Sequence, residues 1–363
     1  MLTPFELDTI PNTIASLYSE YENISLNKLA KRINSIDYSL TSNQFRKLQM
    51  EQMQLVYQSS IQDMSRLFQV SEKEIEKVFK DATLKSLSFD NSIYKKAGLK
   101  VHELEESGTM LRIMKANIKK TKGNIRNLTL TTANTNQALF VESTNLAHLQ
   151  IMSGNVTYDS AIKNAIKTAS ADGVTVLYPS GAKTSVESAV RRAITTSVNQ
   201  TTGKIMEENI KQNKVELVQV SQHNGARPSH SAWQGGIYMV EGSSSYYENF
   251  EEATGYGTVT GLMGVNCKHS YYPFFHGISE KAIEDKERSV KHNGKYISEY
   301  EASQIQRYNE RQIRKWKREE SSLDAVSISS IREKEKVKHW QKKQRLFVKE
   351  TGLRRDYSRE FIG

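Results

Sequence analysis

From Pro11 to Pro179 the sequence contains no proline, and the chain of 363 residues has only five. Proline is the strongest helix breaker, because its ring fixes φ, removes a backbone donor and collides with the preceding turn. A proline-free stretch this long permits long helices, and apolar residues recur along it at helical spacing. Ile14, Leu17, Tyr18 and Tyr21 share a face, followed by Leu29 and Ile33. The pattern breaks at residues 34–43 and resumes with Phe45, Leu48, Met53, Val56 and Tyr57. Ser71 and Glu74 have capping-box spacing, which predicts a new helix starting there and carrying Ile75, Val78 and Phe79. Met50, Met53 and Met64 read as core filler.

The next stretch predicts a helix that closes at a Lys/Gly turn near Gly123. The Ser/Thr/Asn-dense run from Asn127 to Asn145 reads either as a linker or as the polar face of a helix pair. Tyr158 to Ala171 reads as an amphipathic helix closed by Asp172-Gly173. The pattern changes at Val174, where VTVLYPSG is β-rich and ends in a turn. Thr184 and Glu187 suggest a capping box for a helix striped by Val186, Val190, Ile194, Val198 and Ile205. Val215–Val220 is a strand pattern. Beyond Ser279 the chain reads as helical again. Ser298 and Glu301 cap a helix carrying Tyr300, Tyr308 and Trp316, and a second helix with Ile331, Val337, Trp340 and Phe347 stops at Gly352. The expected fold class is therefore mixed α+β and predominantly helical. It divides into an N-terminal helical region (1–97), a helical or linker region (98–173), a small central α+β domain (174–279) and a basic helical tail (280–363).

Hydrophobic residues make up 37% of the chain and mean hydropathy is −0.61, low for a compact enzyme. Part of the chain is expected to be helical surface or to await a partner. The apolar stripes of the N-terminal helices exceed their own needs, so they are expected to make an oligomeric contact. The formal charge is +10, and residues 281–363 hold 22 Lys and Arg against 14 Asp and Glu. The signs alternate there, which favours a solvated or protein-facing helix over a dedicated DNA clamp. One cysteine excludes an intrachain disulfide framework and fits a reducing compartment. No apolar run approaches the roughly 20 residues needed to span a bilayer. MLTPFELDTIPN lacks the basic and apolar regions of a secretory signal.

Chemistry-bearing residues concentrate between His223 and His276. That stretch holds the only cysteine, four of eight histidines, one of three tryptophans and two of five prolines. It begins where the Val215–Val220 strand ends, a common place for functional groups on a rigid support. The candidate residues are His223, Arg227, Ser229, His230, Trp233, Gly235, Asn266, Cys267 and His269. Arg191 and Arg192 flank the preceding helical stripe and are candidates for contact with phosphate or a partner surface.

Three segments in order, VESAVRRAITTSVNQ, SQHNGARPSHSAWQGGIY and GVNCKHSYYPFFHG, resemble the type 2 minor capsid proteins of tailed bacteriophages, within the wider class of Mu-type minor head proteins. LTPFELDTIPNTIASLYSEYENISLNKLAKRI resembles that family's opening helix, and LYPSG before the VRRAI helix also fits. The tail beyond about Ser321 is least diagnostic. The resemblance implies a virion component of few copies in the phage head, present in host cytoplasm during assembly. Its implied partners are the portal protein, the major capsid protein or a scaffold, and the packaged DNA. Its implied roles are head morphogenesis and DNA packaging or ejection. No enzymatic reaction is implied.

Three readings compete for the motif residues. Many Mu-type relatives carry a Cys-x-x-Cys and a later Cys-x-Cys. Laid on that pattern, Arg227 and His230 fall at the first pair, and Cys267 and His269 at the second. His230, Cys267 and His269 with His223 would then be zinc ligands at about 2.0–2.3 Å. Against this, Arg227 cannot ligate, and the 36 residues between His230 and Cys267 are not a standard finger spacing. The second reading is catalysis: two histidines, Arg227 and Ser229 in a loop suit acid–base or phosphoryl chemistry. A head-carried ribonuclease or ADP-ribosyltransferase-like effector would use them so. No residue pattern fixes a nucleophile or phosphate loop. The third reading is a hydrogen-bonded loop lock, with Arg227 tying loop carbonyls, His230, Asn266 and His269 completing the network, Trp233 covering it, and Gly235 permitting positive φ. The loop lock is the expected state, with no catalytic residue and no cofactor. Zinc is the alternative cofactor. A DNA-binding accessory protein acting through the tail is a further alternative function.

Overall fold

A computed structural model describes residues 1–279 and 288–363. The described residues are 65% helical with small antiparallel sheets, a predominantly helical α+β protein. The helices are α1 (Pro4–Thr9), α2 (Asn12–Asn34), α3 (Ser42–Lys96), α4 (Gly108–Met152), α5 (Tyr158–Ala171), α6 (Val186–Asn213), α7 (Pro228–Ser231), α8 (Phe250–Thr254), α9 (Glu299–Asp324) and α10 (Ile331–Thr351). The strands are β1 (Thr175–Leu177), β2 (Lys183–Ser185), β3 (Leu217–Val220), β4 (Ile237–Met239), β5 (Tyr271–Pro273), β6 (Ser289–His292) and β7 (Lys295–Ser298). Among the described residues no helix is long and apolar enough to cross a membrane.

The helices run longer than the capping signals predicted. No helix starts at Ser71, because neither proline nor glycine interrupts α3 and the buried side chains Phe68, Ser71, Ile75 and Phe79 stay in phase. The Ser71 hydroxyl instead donates to the Phe68 carbonyl at 2.8 Å. The turn expected near Gly123 is also absent. Gly123 sits inside α4 with open space where a Cβ would project, so it weakens the helix without breaking it. The polar run 127–145 is the face of a helix pair. Gln49 Nε2 donates to Thr144 Oγ1 at 2.7 Å and Asn145 Oδ1 at 2.8 Å, and Asn136 Nδ2 donates to Ser60 Oγ at 3.0 Å. Thr184 lies in β2, and the cap of α6 falls one residue later, where Ser185 Oγ accepts from the Ser188 amide. Met64 is buried, but Met50 is 64% exposed and fills no core.

Among its described residues the tail is not helical throughout. A β6–β7 hairpin, with Val290 opposite Ile297, precedes α9. The Ser298/Glu301 capping box forms as predicted, and Gly352 closes α10 in a left-handed conformation at φ 69. The boundary expected between 279 and 280 opens onto residues 280–287, which lie outside the described residues.

Two compact units emerge, each discontinuous in sequence. The first comprises Met1–Asn12, Glu72–Asn124 and Arg191–Ser303; the second comprises Thr13–Ser71, Ile125–Val190 and Gln304–Gly363. In the first unit, β3 lies at the centre of a three-stranded antiparallel sheet between β4 and β5, with Val218 opposite both Tyr238 and Pro273. Met206, Ile210, Trp233, Phe250, Leu262, Cys267 and Tyr271 pack into one core beside this sheet.

The second unit packs Leu29, Ile33, Tyr38, Phe45, Phe140, Ile162, Ile166 and Leu323 together. It also buries charges in opposed pairs. Glu22, 2% exposed, accepts from the Val174 amide at 3.0 Å and faces Arg318 at 3.5 Å. Arg318 in turn donates to the carbonyls of Ser170 and Ala171. Arg314 pairs with Glu187 at 2.7 Å, and Lys167 with Glu333 at 2.8 Å. Gly173 stands at φ 75 against Glu22, where a Cβ would come within 2.2 Å of Oε1. Only glycine fits that backbone and that approach.

Candidate functional site

The site lies in the first unit, where the end of β3 and the start of β5 hold two loops side by side. Ser221, just past β3, donates its backbone N–H to the Ser270 carbonyl at 2.8 Å, and its hydroxyl accepts from the Ser270 amide at 2.9 Å. Arg227 and Pro228 then open the short helix α7, proline at N1 needing no hydrogen-bonded N–H. This turn carries His230 inward. On the opposite loop, Asn199 of α6 donates Nδ2 to the carbonyls of both Cys267 and His269, at 3.1 and 3.0 Å. Cys267 and His269 are thereby aimed at His230.

One ligand-capable atom from each of His230, Cys267 and His269 lies within 4.8 Å of the others. The Cys267 Sγ is 3.7 Å from His230 Nδ1 and 3.6 Å from His269 Nδ1. All three side chains are at most 2% exposed. The far nitrogens have fixed roles. His230 Nε2 lies 2.8 Å from the Thr260 carbonyl, which can only accept, so Nε2 carries the proton. His269 Nε2 lies 3.0 Å from Gln234 Oε1. The same Oε1 accepts the His223 backbone N–H at 3.2 Å, which identifies it as the amide oxygen. His269 Nε2 therefore also carries its proton. Both Nδ1 atoms face the sulfur as bare lone pairs.

Electrostatics keep the cluster neutral. Burial, then the neighbours His223, His230 and Arg227, push His269 down to about 2. Burial also lowers His230, against the opposing bond to Thr260. Burial raises the Cys267 thiol, although the His269 amide donates to Sγ at 3.4 Å. Trp233 covers the cluster, its ring 4.4 Å from that of His230 and 4.9 Å from that of His269.

The other predicted residues surround this centre. His223 does not join it. Its ring lies 4.3 Å from the His269 ring, its Nδ1 is 2.8 Å from the Asn224 carbonyl, and its buried Nε2 has no hydrogen-bond partner. Arg227 ties one loop to the other by donating to the Val265 carbonyl at 2.8 Å. Gly235 takes φ 75, and a Cβ there would come within 2.7 Å of Gln222 Oε1. Asn266 is exposed, in a left-handed backbone at φ 57, and contributes its N–H to Thr196 Oγ1. Ser229 is exposed on the outer side of α7. Arg191 requires a correction. It is only 8% exposed, and its guanidinium donates to Asn12 Oδ1 and the Asp8 carbonyl, so it presents no open surface to phosphate. Arg192 beside it is half-buried.

Two positioning residues escape sequence reading. Gln234 fixes the His269 tautomer, and its only signal was its place in the SAWQGG run. Asn199 is fully buried on α6. A polar residue beside the Val190–Ile194–Val198 stripe was its one clue.

A family model described as Phage minor capsid protein 2 matches residues 2–349. A structural protein of Lactococcus phage LL-H is 29% identical over 248 residues, covering 65% of this chain and 65% of that protein. A structural protein of Lactococcus phage mv4 is 35% identical over 113 residues, covering 30% of this chain and 86% of that protein. The chain thus spans under two thirds of the first relative's length. No solved structure matches.

Proposed function

The chain belongs to the phage minor capsid protein 2 family, and on that premise we propose that it is a minor structural component of a tailed-phage head, bound at the portal or inner capsid and acting in head morphogenesis without turnover. The family match over residues 2–349 carries this reading. Two features support it. The His230 and His269 rings are almost fully buried, whereas acid–base catalysis on a polymer needs the pair in contact with substrate. Along α3 and α4 the second unit exposes Met50, Val70, Leu130, Leu149 and Met152, each more than half exposed. Such surface suits contact with portal, major capsid or scaffold protein.

The packaged genome end is a further partner in this reading, through α10. Glu310, Glu319, Glu333 and Glu360 are buried and of the tail's described cations only Arg318 is, so the described surface of the tail is more basic than its sequence. Lys336, Lys338, Lys342, Lys343, Arg345 and Lys349 of α10 are exposed. Phosphate contact needs only such cations and is sequence-independent.

Quantitative mass spectrometry on full heads and on particles that have ejected their DNA tests the reading. A few copies in full heads, retained after ejection, is the expected result. Loss on ejection would move the protein to the delivered contents of the head, and absence from both would overturn the assignment. Contact with DNA predicts a steep fall in affinity with salt, made shallower by Lys342→Ala with Lys343→Ala.

A further inference from the structure

The hydrogen atoms at the Cys267 cluster do not balance. Both imidazoles commit their one proton to an outer acceptor, His230 to Thr260 and His269 to Gln234. Two Nδ1 lone pairs then converge on a single thiol, which has one proton to give. One buried lone pair is left over. Protonating an imidazole would supply the missing hydrogen, but a cation this deeply buried is costly. The remaining acceptor beside the thiol, the His269 carbonyl at 4.0 Å, is too far to hold its proton well. A hydrogen-bonded lock therefore leaves an acceptor unsatisfied inside the core, which native interiors avoid.

A metal ion satisfies all three atoms at once. Zinc takes thiolate sulfur at about 2.3 Å and imidazole nitrogen at about 2.0 Å, and a tetrahedral angle between them separates S and N by about 3.5 Å. The two Sγ–Nδ1 distances are 3.6 and 3.7 Å. The outer hydrogen bonds are those that metal-bound histidines make, a ring N–H donated to a carbonyl or amide oxygen that fixes the tautomer. The His269 backbone N–H on Sγ would stabilise the thiolate.

We infer that His230 Nδ1, Cys267 Sγ and His269 Nδ1 bind one zinc-class divalent ion, which ties the loop after β3 to the segment entering β5. The ion replaces the thiol proton, which leaves to solvent, with no change of oxidation state. A Cys and two His select a borderline-soft metal such as zinc over magnesium or calcium, which prefer oxygen. His223 is not a ligand in this assignment. Three protein ligands leave the fourth tetrahedral position to a water; with Trp233 packed over the site and the ligands buried, the ion's role is to hold the two loops together. The inference stands independently of where in the particle the protein sits.

The test uses the full chain, produced with zinc in the medium and dialysed against metal-free buffer. Elemental mass spectrometry is expected to find one zinc per chain, falling at least tenfold in Cys267→Ser and unchanged in His223→Ala. Cobalt(II) added to the metal-stripped chain is expected to give a thiolate-to-cobalt charge-transfer band, absent in Cys267→Ser. A folded wild-type chain that holds less than a tenth of an equivalent and gives no such band overturns the site. So does a folded Cys267→Ser variant that keeps its zinc. Where that variant does not fold, the wild-type cobalt spectrum decides alone.

Discussion

Each unit buries a cluster of polar groups, and the two clusters differ in kind. The second unit buries charge and opposes it: Glu22 with Arg318, Glu187 with Arg314, Glu333 with Lys167. Some atoms there lack a hydrogen bond, among them Arg314 Nε and Glu333 Oε2, but each of these charges faces its opposite. The first unit buries neutral imidazoles and a thiol at Cys267, and its groups do not balance one another. Low-dielectric surroundings punish both arrangements unless completed. The charged pairs are completed by protein alone, through partners distant in sequence. The imidazole–thiol cluster is completed, on the inference above, by a metal ion. On that inference the contrast separates a structural salt-bridge core from a ligand site, although both are rows of buried polar residues.

Breaking the second unit's pairing should cost most. Glu22→Ala leaves the Arg318 guanidinium buried without its carboxylate, an effect of about 3–5 kcal/mol. Thermal or urea unfolding of the variant measures it. A loss under 1 kcal/mol would mean that Arg318 reaches water without Glu22, and the opposed-charge account of that unit would fall. Next comes removal of the proposed ion from the first unit. An ion held at a hundredfold over its dissociation constant adds about 2.7 kcal/mol. A strong chelator should therefore lower the wild-type melting temperature by a few degrees and leave Cys267→Ser unmoved. Equal shifts in both proteins would assign the chelator effect elsewhere.

A pH series sharpens the same contrast from the side of the charges. Burial pushes Glu310 up to about 7 from its ordinary 4.5, against the pull of Arg359, Arg307 and Arg314. Its folded state thus holds a proton that the unfolded chain has released. That contribution to stability is complete below 4.5 and is lost as pH rises through about 7. Glu310→Gln should flatten the decline across that window by on the order of 2 kcal/mol, seen in urea midpoints at pH 5 and pH 8. Parallel curves for wild type and variant would show that Glu310 is not held protonated by burial.

The helices and the three residues of the Cys267 cluster were legible in the sequence, but not what surrounds that cluster. Absence of proline foretold long helices, yet Ser71–Glu74 suggested a break that α3 ignores, because a capping signal is local and buried periodicity overrode it. The β6–β7 hairpin was missed because KHNGKYIS sits in a run read for charge and helical stripes. His230, Cys267 and His269 were all named from the sequence, but 36 residues separate the first two, and pairing across such a gap is set by strand register and by Asn199. The proton count that favours a metal over a lock depends on Thr260 and Gln234, and no spacing rule points to either. Likewise the tail's charges alternate in sequence, while burial removes four of its glutamates from the surface.

Gln234 gives the smallest effect and the most specific one. Its Oε1 holds the His269 ring proton and also caps the His223 amide. Gln234→Ala leaves all three proposed ligands in place and removes only the group that orients one of them. An outer-shell substitution of this kind typically costs 10–100-fold in metal affinity, and the lower end corresponds to about 1.4 kcal/mol. Competition with a chelator of known affinity reads the change directly. The loss should appear in zinc affinity and not in the stability of the metal-stripped chain. If Cys267 and the two histidines form only a hydrogen-bonded lock, there is no zinc affinity to lose. Gln234→Ala would then free His269 to exchange tautomers, so that its Nδ1 could carry the proton toward Sγ, and the metal-stripped chain would become no less stable while zinc affinity stayed negligible in both proteins.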